Sequence, residues 1–247
     1  MSNDIEVIFI DVGNTLRVLV EDEPYQEIAR HKIASLVGTQ EEPKVFCEML
    51  DTRYKVYRKY AFETLIEASE RELWTRWMLP DYPVETIAPL SGDLTFLYRQ
   101  TMGRRFAQPD TRQVLQTLTE RGYRMGIISN TITEREIPNW LEEDGLSQYF
   151  PVVILSSIVG CRKPGAEIFH LALKEAGIEA AQAAYVGDNP IRDVAGARSA
   201  GFGKVVIMLD AEEFKRKTEG AETMPDHLIT TLSDLLDIFP AREKIVR

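Results

Sequence analysis

Residues 5–16 read Ile5-Glu6-Val7-Ile8-Phe9-Ile10-Asp11-Val12-Gly13-Asn14-Thr15-Leu16, a short apolar run that ends in an aspartate and passes at once into small polar residues. Apolar residues on nearly every position suit a strand buried on both faces. Runs of the same kind recur at 125–129 (MGIIS), 152–155 (VVIL), 183–187 (AAYVG) and 204–208 (KVVIM). From 125 onward, helical patterns lie between them. TRQVLQTLTERG puts Val114, Leu115 and Leu118 on one face and stops at Gly122; GAEIFHLALKEAG does the same with Ile168, Leu171 and Ala172 and stops at Gly177. Such alternation predicts a parallel sheet.

The first interval is different. Between Leu16 and about Pro109 there is no convincing strand, only helical patterning over roughly 90 residues, far beyond an ordinary connection. PYQEIARHKIASLVG closes at Gly38, PKVFCEMLDTRYKVYRKYAFETL follows, and SERELWTRWML opens with Ser69 three residues before Glu72, a capping box. VETIAPLSGDLTFLYRQTMG supplies the rest. This block is expected to be a separate helical domain inserted just after the first strand.

Composition bounds the function. With 44% hydrophobic and 28% charged residues among 247, a sizeable core can form. A formal net charge of −10 argues against non-specific binding to nucleic acid or anionic membranes, and an anionic substrate would need a local cation. Two cysteines, Cys47 and Cys161, are too few for a disulfide framework and fit a reducing compartment. No N-terminal apolar stretch is long enough for a signal peptide or a membrane span, so the expected location is cytoplasmic.

Four local patterns follow in order: Asp11 to Thr15 after the first strand; Ser129, ending GIIS, with Asn130; Lys163-Pro164 at the entry to the helix of Ile168; and YVGDNPIRDVAGARSAG, with Asp188 and Asp193 five residues apart. In an open parallel sheet ligands bind beyond the carboxyl ends of the strands, where the first, second and fourth patterns fall. Asn189 reads as an N-cap and Pro190 as the first helical residue, which puts Asp188 on the loop and Asp193 about one turn into the helix. Both carboxylates can then reach one site. A few carboxylates, completed by waters and phosphate oxygens, are the usual way of holding magnesium.

These residues resemble the haloacid dehalogenase superfamily, in particular its phosphatase-like members with a helical cap, and the resemblance runs from Val7 to about Phe239 through phrases such as GLSQYF, KPGAEIF and PDHLITTLSDLL. It implies an α/β fold: a Rossmann-like core at 1–16 and 108–247 and a helical cap at 17–107. It also implies a magnesium-dependent phosphohydrolase acting on a small phosphorylated metabolite. Asp11 would attack the phosphoryl group and form an aspartyl-phosphate. Ser129 and Asn130 would bind the phosphoryl group, and Lys163 would neutralise charge between nucleophile and phosphate. Asp11, the Gly13 carbonyl, Asp188 and Asp193 would hold or support Mg²⁺.

Gly13 departs from the family pattern. The family residue there offers its carbonyl to the metal and its carboxylate as general acid; glycine keeps the first and loses the second. General acid–base catalysis is typically worth ~10²–10⁴-fold, so its loss weakens catalysis without forbidding it. Rival readings are dehalogenation by Asp11, against which Asp188 argues; carbon–phosphorus bond cleavage through a Schiff base on a cap lysine (Lys32, Lys44, Lys55 or Lys59); and a catalytically weak or silent phosphate-binding protein. Trp74 and Trp77 read as packing residues, His31, His170 and His227 lack metal-ligand spacing, and RYKVYRKY reads as a solvated helix face.

Overall fold

The computed structural model describes residues 5–218 and 223–242. Its main sheet has six parallel strands: β1 (Val7–Ile10), β4 (Arg124–Ser129), β5 (Val152–Leu155), β6 (Ala183–Gly187), β7 (Lys204–Met208) and β8 (His227–Ile229), in the spatial order β5-β4-β1-β6-β7-β8. Strands β2 (Arg17–Val20) and β3 (Arg104–Ala107) form a separate antiparallel ribbon. The chain moves outward from β1 to β4 and β5, then returns to lay β6 on the other side of β1. That reversal makes the β1–β6 junction a topological switch point, where open sheets bind ligands.

The period-two geometry of a strand explains why β1 is apolar throughout. Ile8 and Ile10 enter a core with Val114, Leu118, Ile137 and Trp140 on one face; Val7 and Phe9 enter another with Ile168, Phe169 and Val194 on the other. Helices Thr111–Glu120 and Glu136–Glu143 cover the first face, and Ala166–Ala176 and Arg192–Ser199 the second.

The long interval is helical over Glu23–Val37, Pro43–Thr64 and Ser91–Thr101, with shorter turns between, and it has its own core around Phe46, Leu50, Tyr57, Trp74 and Tyr98. Gly38 closes the first helix in a left-handed conformation (φ 75°). Ser69 Oγ accepts the Glu72 N–H at 3.2 Å, and Leu73–Met78 then winds as a π-helix. The expectation of no strand between Leu16 and Pro109 is corrected by the β2–β3 ribbon. Each strand is four residues long and only partly buried, too short for alternation to stand out. The ribbon joins the helical cap to the sheet. Strand β8, which completes the sheet edge, was also missed; two of its three residues are exposed.

Candidate active site

Asp11 follows Ile10 at the end of β1, and its N–H donates to the Val186 carbonyl of β6 at 2.8 Å, so strand pairing itself sets the residue at the crevice. Its Oδ1 accepts the Val12 N–H at 2.8 Å, and its Oδ2 accepts from Lys163 Nζ at 2.9 Å and Arg192 Nη2 at 3.0 Å. The following turn closes when Arg17 N–H donates to the Val12 carbonyl at 2.8 Å and Asn14 N–H to the Arg17 carbonyl at 2.7 Å. Asn14 takes a left-handed φ of 54°, which asparagine tolerates better than most residues, and its Nδ2 donates to Asp188 Oδ2 at 3.0 Å.

Lys163 is 1% exposed. Its ammonium reaches Asp11, Asp193 Oδ1 at 3.1 Å and the Tyr185 hydroxyl at 2.5 Å; Tyr185 Oη donates onward to the Ile128 carbonyl at 3.3 Å. The Asn130 amide clamps the Lys163 backbone from both sides, accepting its N–H and donating to its carbonyl, each at 2.9 Å. The Asn130 side chain therefore positions Lys163. Ser129, buried at the end of β4, lines the same cavity of about 240 Å³ as Asp11, Asn14, Asp188 and Arg192.

Asp188 lies on the loop after β6, as expected, but the helix begins at Arg192 and not at Pro190. Asn189 still caps the turn, its Oδ1 accepting the N–H groups of Ile191 (3.2 Å) and Arg192 (2.8 Å). Asp193 thus sits in the first helical turn, fully buried, with Oδ2 accepting the Asn189 N–H at 3.0 Å. A Cβ at Gly187 would come within 2.4 Å of Asp193 Oδ2, so only glycine admits this approach to β6.

Arg192 was missed by sequence reasoning. Its Nη2 contacts Asp11 Oδ2, Asp188 Oδ1 (3.2 Å) and Asp193 Oδ2 (3.2 Å), while Nε holds Asp193 Oδ1 at 3.0 Å. The available signal was its spacing, four residues after Asp188 on a helix start and next to Asp193. Burial opposes ionisation of Asp193, but Lys163 and Arg192 outweigh it and bring the carboxyl down to about 2. Asp188 has the opposite balance: burial and the neighbouring Asp11 charge push it up, with Asn14 and Arg192 offsetting only part.

Oxygens of Asp11, Asp188 and Asp193 lie within 4.8 Å of one another, a set of hard donors suited to magnesium. Three carboxylates against Lys163 and Arg192 leave a formal charge of −1, so the ring accepts further positive charge. Arg192 Nη2 contacts the same Asp11 and Asp188 carboxylates, so a metal held by them would compete with the guanidinium. Gly13 is exposed, its φ is not left-handed, and a Cβ built there meets nothing within 4 Å. Glycine is not sterically required.

Lys32, Lys44, Lys55 and Lys59 are all exposed and none lines this cavity, which leaves the carbon–phosphorus reading without its amine. Trp74 is buried, with Nε1 donating to Thr95 Oγ1 at 2.7 Å, as a packing residue should be, and the three histidines are exposed. Among the described residues no helix is long and apolar enough to cross a membrane.

Comparison with known proteins agrees with this architecture. Residues 47–207 match the haloacid dehalogenase-like hydrolase family, and the chain belongs to that family. It is 34% identical over 135 residues to the ribulose-1,5-bisphosphate 5-phosphatase of Halopiger xanaduensis, covering 53% of this chain and 55% of that protein. It is 32% identical over 132 residues to the glyceraldehyde 3-phosphate phosphatase of Methanothermobacter thermautotrophicus (53% and 57%). The chain thus spans about half the length of these curated relatives. The solved structure of a phosphatase of the same superfamily from Thermococcus onnurineus superposes with a TM-score of 0.63 at 23% identity, over 96% of this chain and 99% of that one.

Proposed function

We propose that this protein is a magnesium-dependent phosphohydrolase that removes the phosphoryl group of a small metabolite through a covalent intermediate on Asp11. The observation that carries the reading is the position of Asp11 at the switch point, ringed by Asp188 and Asp193 and held by the buried Lys163. The similarity to phosphatases of small phosphorylated sugars supports the substrate class. In this reading residues 17–107 act as the cap that selects the substrate, over a core of 1–16 and 108–247.

The Asp11 carboxylate attacks phosphorus and the ester P–O bond breaks, leaving an aspartyl-phosphate. The departing oxygen takes its proton from water, because position 13 has no acid. Water then attacks phosphorus, frees phosphate and restores Asp11. Lys163 holds the Asp11 carboxylate and offsets the charge of the approaching phosphate, while Ser129 and nearby backbone N–H groups hold phosphoryl oxygens. Asp11, the Gly13 carbonyl and Asp188, supported by Asp193, would hold magnesium, whose charge would add to the neutralisation that phosphoryl transfer needs. The test is phosphate release by wild type and Asp11→Asn, with magnesium and after chelation. Wild type should be active only with the metal and Asp11→Asn inactive; substantial turnover by the variant would refute the covalent route.

A second reading, a weak or silent phosphate-binding protein, is favoured by one observation: the Arg192 guanidinium touches all three carboxylates where a metal would bind. An inactive wild type that gains magnesium-dependent turnover as Arg192→Asn would support it.

A further inference from the structure

The cavity that contains Asp11 and Ser129 extends to a second group of charges at the junction of cap and core, formed by Arg17, Arg99, Arg105 and Glu136. Each comes from a different element. Arg17 is on β2, Arg105 on β3, Arg99 on the last long cap helix, and Glu136 opens a core helix. The ribbon register pairs Arg17 with Ala107 and Leu19 with Arg105, which places the two arginines diagonally on one ribbon face.

All three guanidiniums converge on one carboxylate. Arg99 Nε lies 2.7 Å from Glu136 Oε2, and Arg17 Nη1 and Arg105 Nε lie 3.2 and 3.5 Å from Oε1. Arg17 and Glu136 are nearly buried, at 9% and 8% exposure. Asp144 attracts Arg17 more weakly than Glu136 does, and its Oδ2 already accepts from Trp140 Nε1 at 2.6 Å. The buried Arg17 Nε has no hydrogen-bond partner among the described residues. Burial and the neighbouring Arg99 charge bring Arg105 down to about 10 in spite of Glu136.

A set of ion pairs built only to hold the junction of cap and core would be closer to charge balance, since buried unmatched charge is costly. Here the surplus is positive, it faces the cavity of Asp11, and guanidinium forks match planar oxyanions. The chain as a whole carries −10, so this concentration of arginines is local and not a general basic surface. We propose that Arg17, Arg99 and Arg105 bind a second anionic group, a carboxylate or a second phosphate, on the substrate whose phosphoryl group meets Asp11; the inference rests on the phosphohydrolase reading. The cavity, at about 240 Å³, suits a compact doubly charged metabolite.

The test uses the full chain with magnesium and three non-hydrolysable ligands: ethylphosphonate, 3-phosphonopropionate and ethylene-1,2-diphosphonate. Calorimetry should show at least one doubly charged ligand binding ~10-fold or more tightly than ethylphosphonate, the scale of one charge-assisted contact. The better of the two identifies carboxylate or phosphate as the second group. Arg105→Gln should collapse that preference to within ~2-fold, the remaining charges being too nearly balanced to discriminate; if this variant fails to melt cooperatively, Arg99→Gln is read in the same way. Equal affinities in wild type, absence of binding by both doubly charged ligands, or a preference that survives these substitutions would overturn the inference. Turnover of phenyl phosphate and 4-carboxyphenyl phosphate, aryl esters whose leaving groups need no general acid, measured in parallel, separates the two claims. Hydrolysis without a ligand preference sinks the second-anion site alone, while a preference without any hydrolysis sinks the phosphohydrolase reading and keeps the anion site.

Discussion

The sharpest prediction concerns Gly13. If the missing general acid is the main defect of this site, wild-type kcat/KM should fall steeply as the leaving group becomes a poorer one. Aryl and acyl phosphates should turn over, while alkyl esters should react slowly. Gly13→Asp should then rescue alkyl esters selectively. Two structural facts set the magnitude. The backbone at 13 is in a region open to any residue, and a Cβ there meets nothing within 4 Å, so strain should remove little of the gain. The ring of Asp11, Asp188 and Asp193 has a formal charge of −1 once Lys163 and Arg192 are counted, so a fourth carboxyl enters a site that favours its protonated form. That is the form a general acid needs. A positioned acid is worth ~10²–10⁴-fold, about 3–5 kcal/mol of barrier, and the lower end is expected for a side chain placed without evolved support. The assay is kcat/KM for a series of phosphate esters of graded leaving-group pKa with both proteins. A flat dependence in wild type, or equal gains for aryl and alkyl esters in Gly13→Asp, would refute the reasoning.

What was legible in the sequence follows from what local pattern can encode. The five strands buried on both faces announce themselves as unbroken apolar runs, and four of the five match residue for residue from VIFI to KVVIM. Asp11, Ser129 and Asp188 were legible because each stands at a strand end or just beyond it, Asp193 because it follows Asp188 by five residues past a capped helix start, and Lys163 only through the order of the four patterns and the family resemblance. The β2–β3 ribbon was not, since its two strands are four residues each, half-exposed and separated by the whole cap. The arginine cluster depends on that ribbon. Arg17 and Arg105 lie 88 residues apart and meet only through cross-strand register, which no local periodicity reports. Arg192 is the contrasting case. Its spacing to Asp188 was in plain view, but its contact with Asp11, 181 residues earlier, is made across the β1–β6 junction, which local spacing does not report.

Three further predictions follow from the charges of the site. Arg192→Asn should lower the magnesium concentration giving half-maximal activity by at least ~10-fold, because one unit charge at ~4 Å is worth ~4 kcal/mol at an effective dielectric of ~20 before screening; an unchanged magnesium requirement would show that the guanidinium does not compete. Lys163→Ala should cost about 3–5 kcal/mol in denaturant unfolding, since it leaves Asp11 and Asp193 buried beside an empty volume; a loss below ~1 kcal/mol would mean that Arg192 alone suffices. The last concerns pH. Burial disfavours the Glu136 carboxylate, yet Arg99 and Arg105 outweigh burial and hold it below its ordinary value. A carboxyl with a depressed folded pKa binds fewer protons in the folded than in the unfolded state at mildly acidic pH. Its contribution is therefore complete above the unfolded value of about 4.3 and is lost as pH falls through the folded one. Glu136→Gln should lower stability most at neutral pH, and the gap to wild type should close on acidification. Three guanidiniums left without their carboxylate would then repel one another at the junction of cap and core, so the variant's stability at neutral pH should rise with added salt or with a doubly charged phosphonate. A gap between the two proteins that stayed constant from neutral to acidic pH would mean that Glu136 holds the junction of cap and core through its packing and not through its charge.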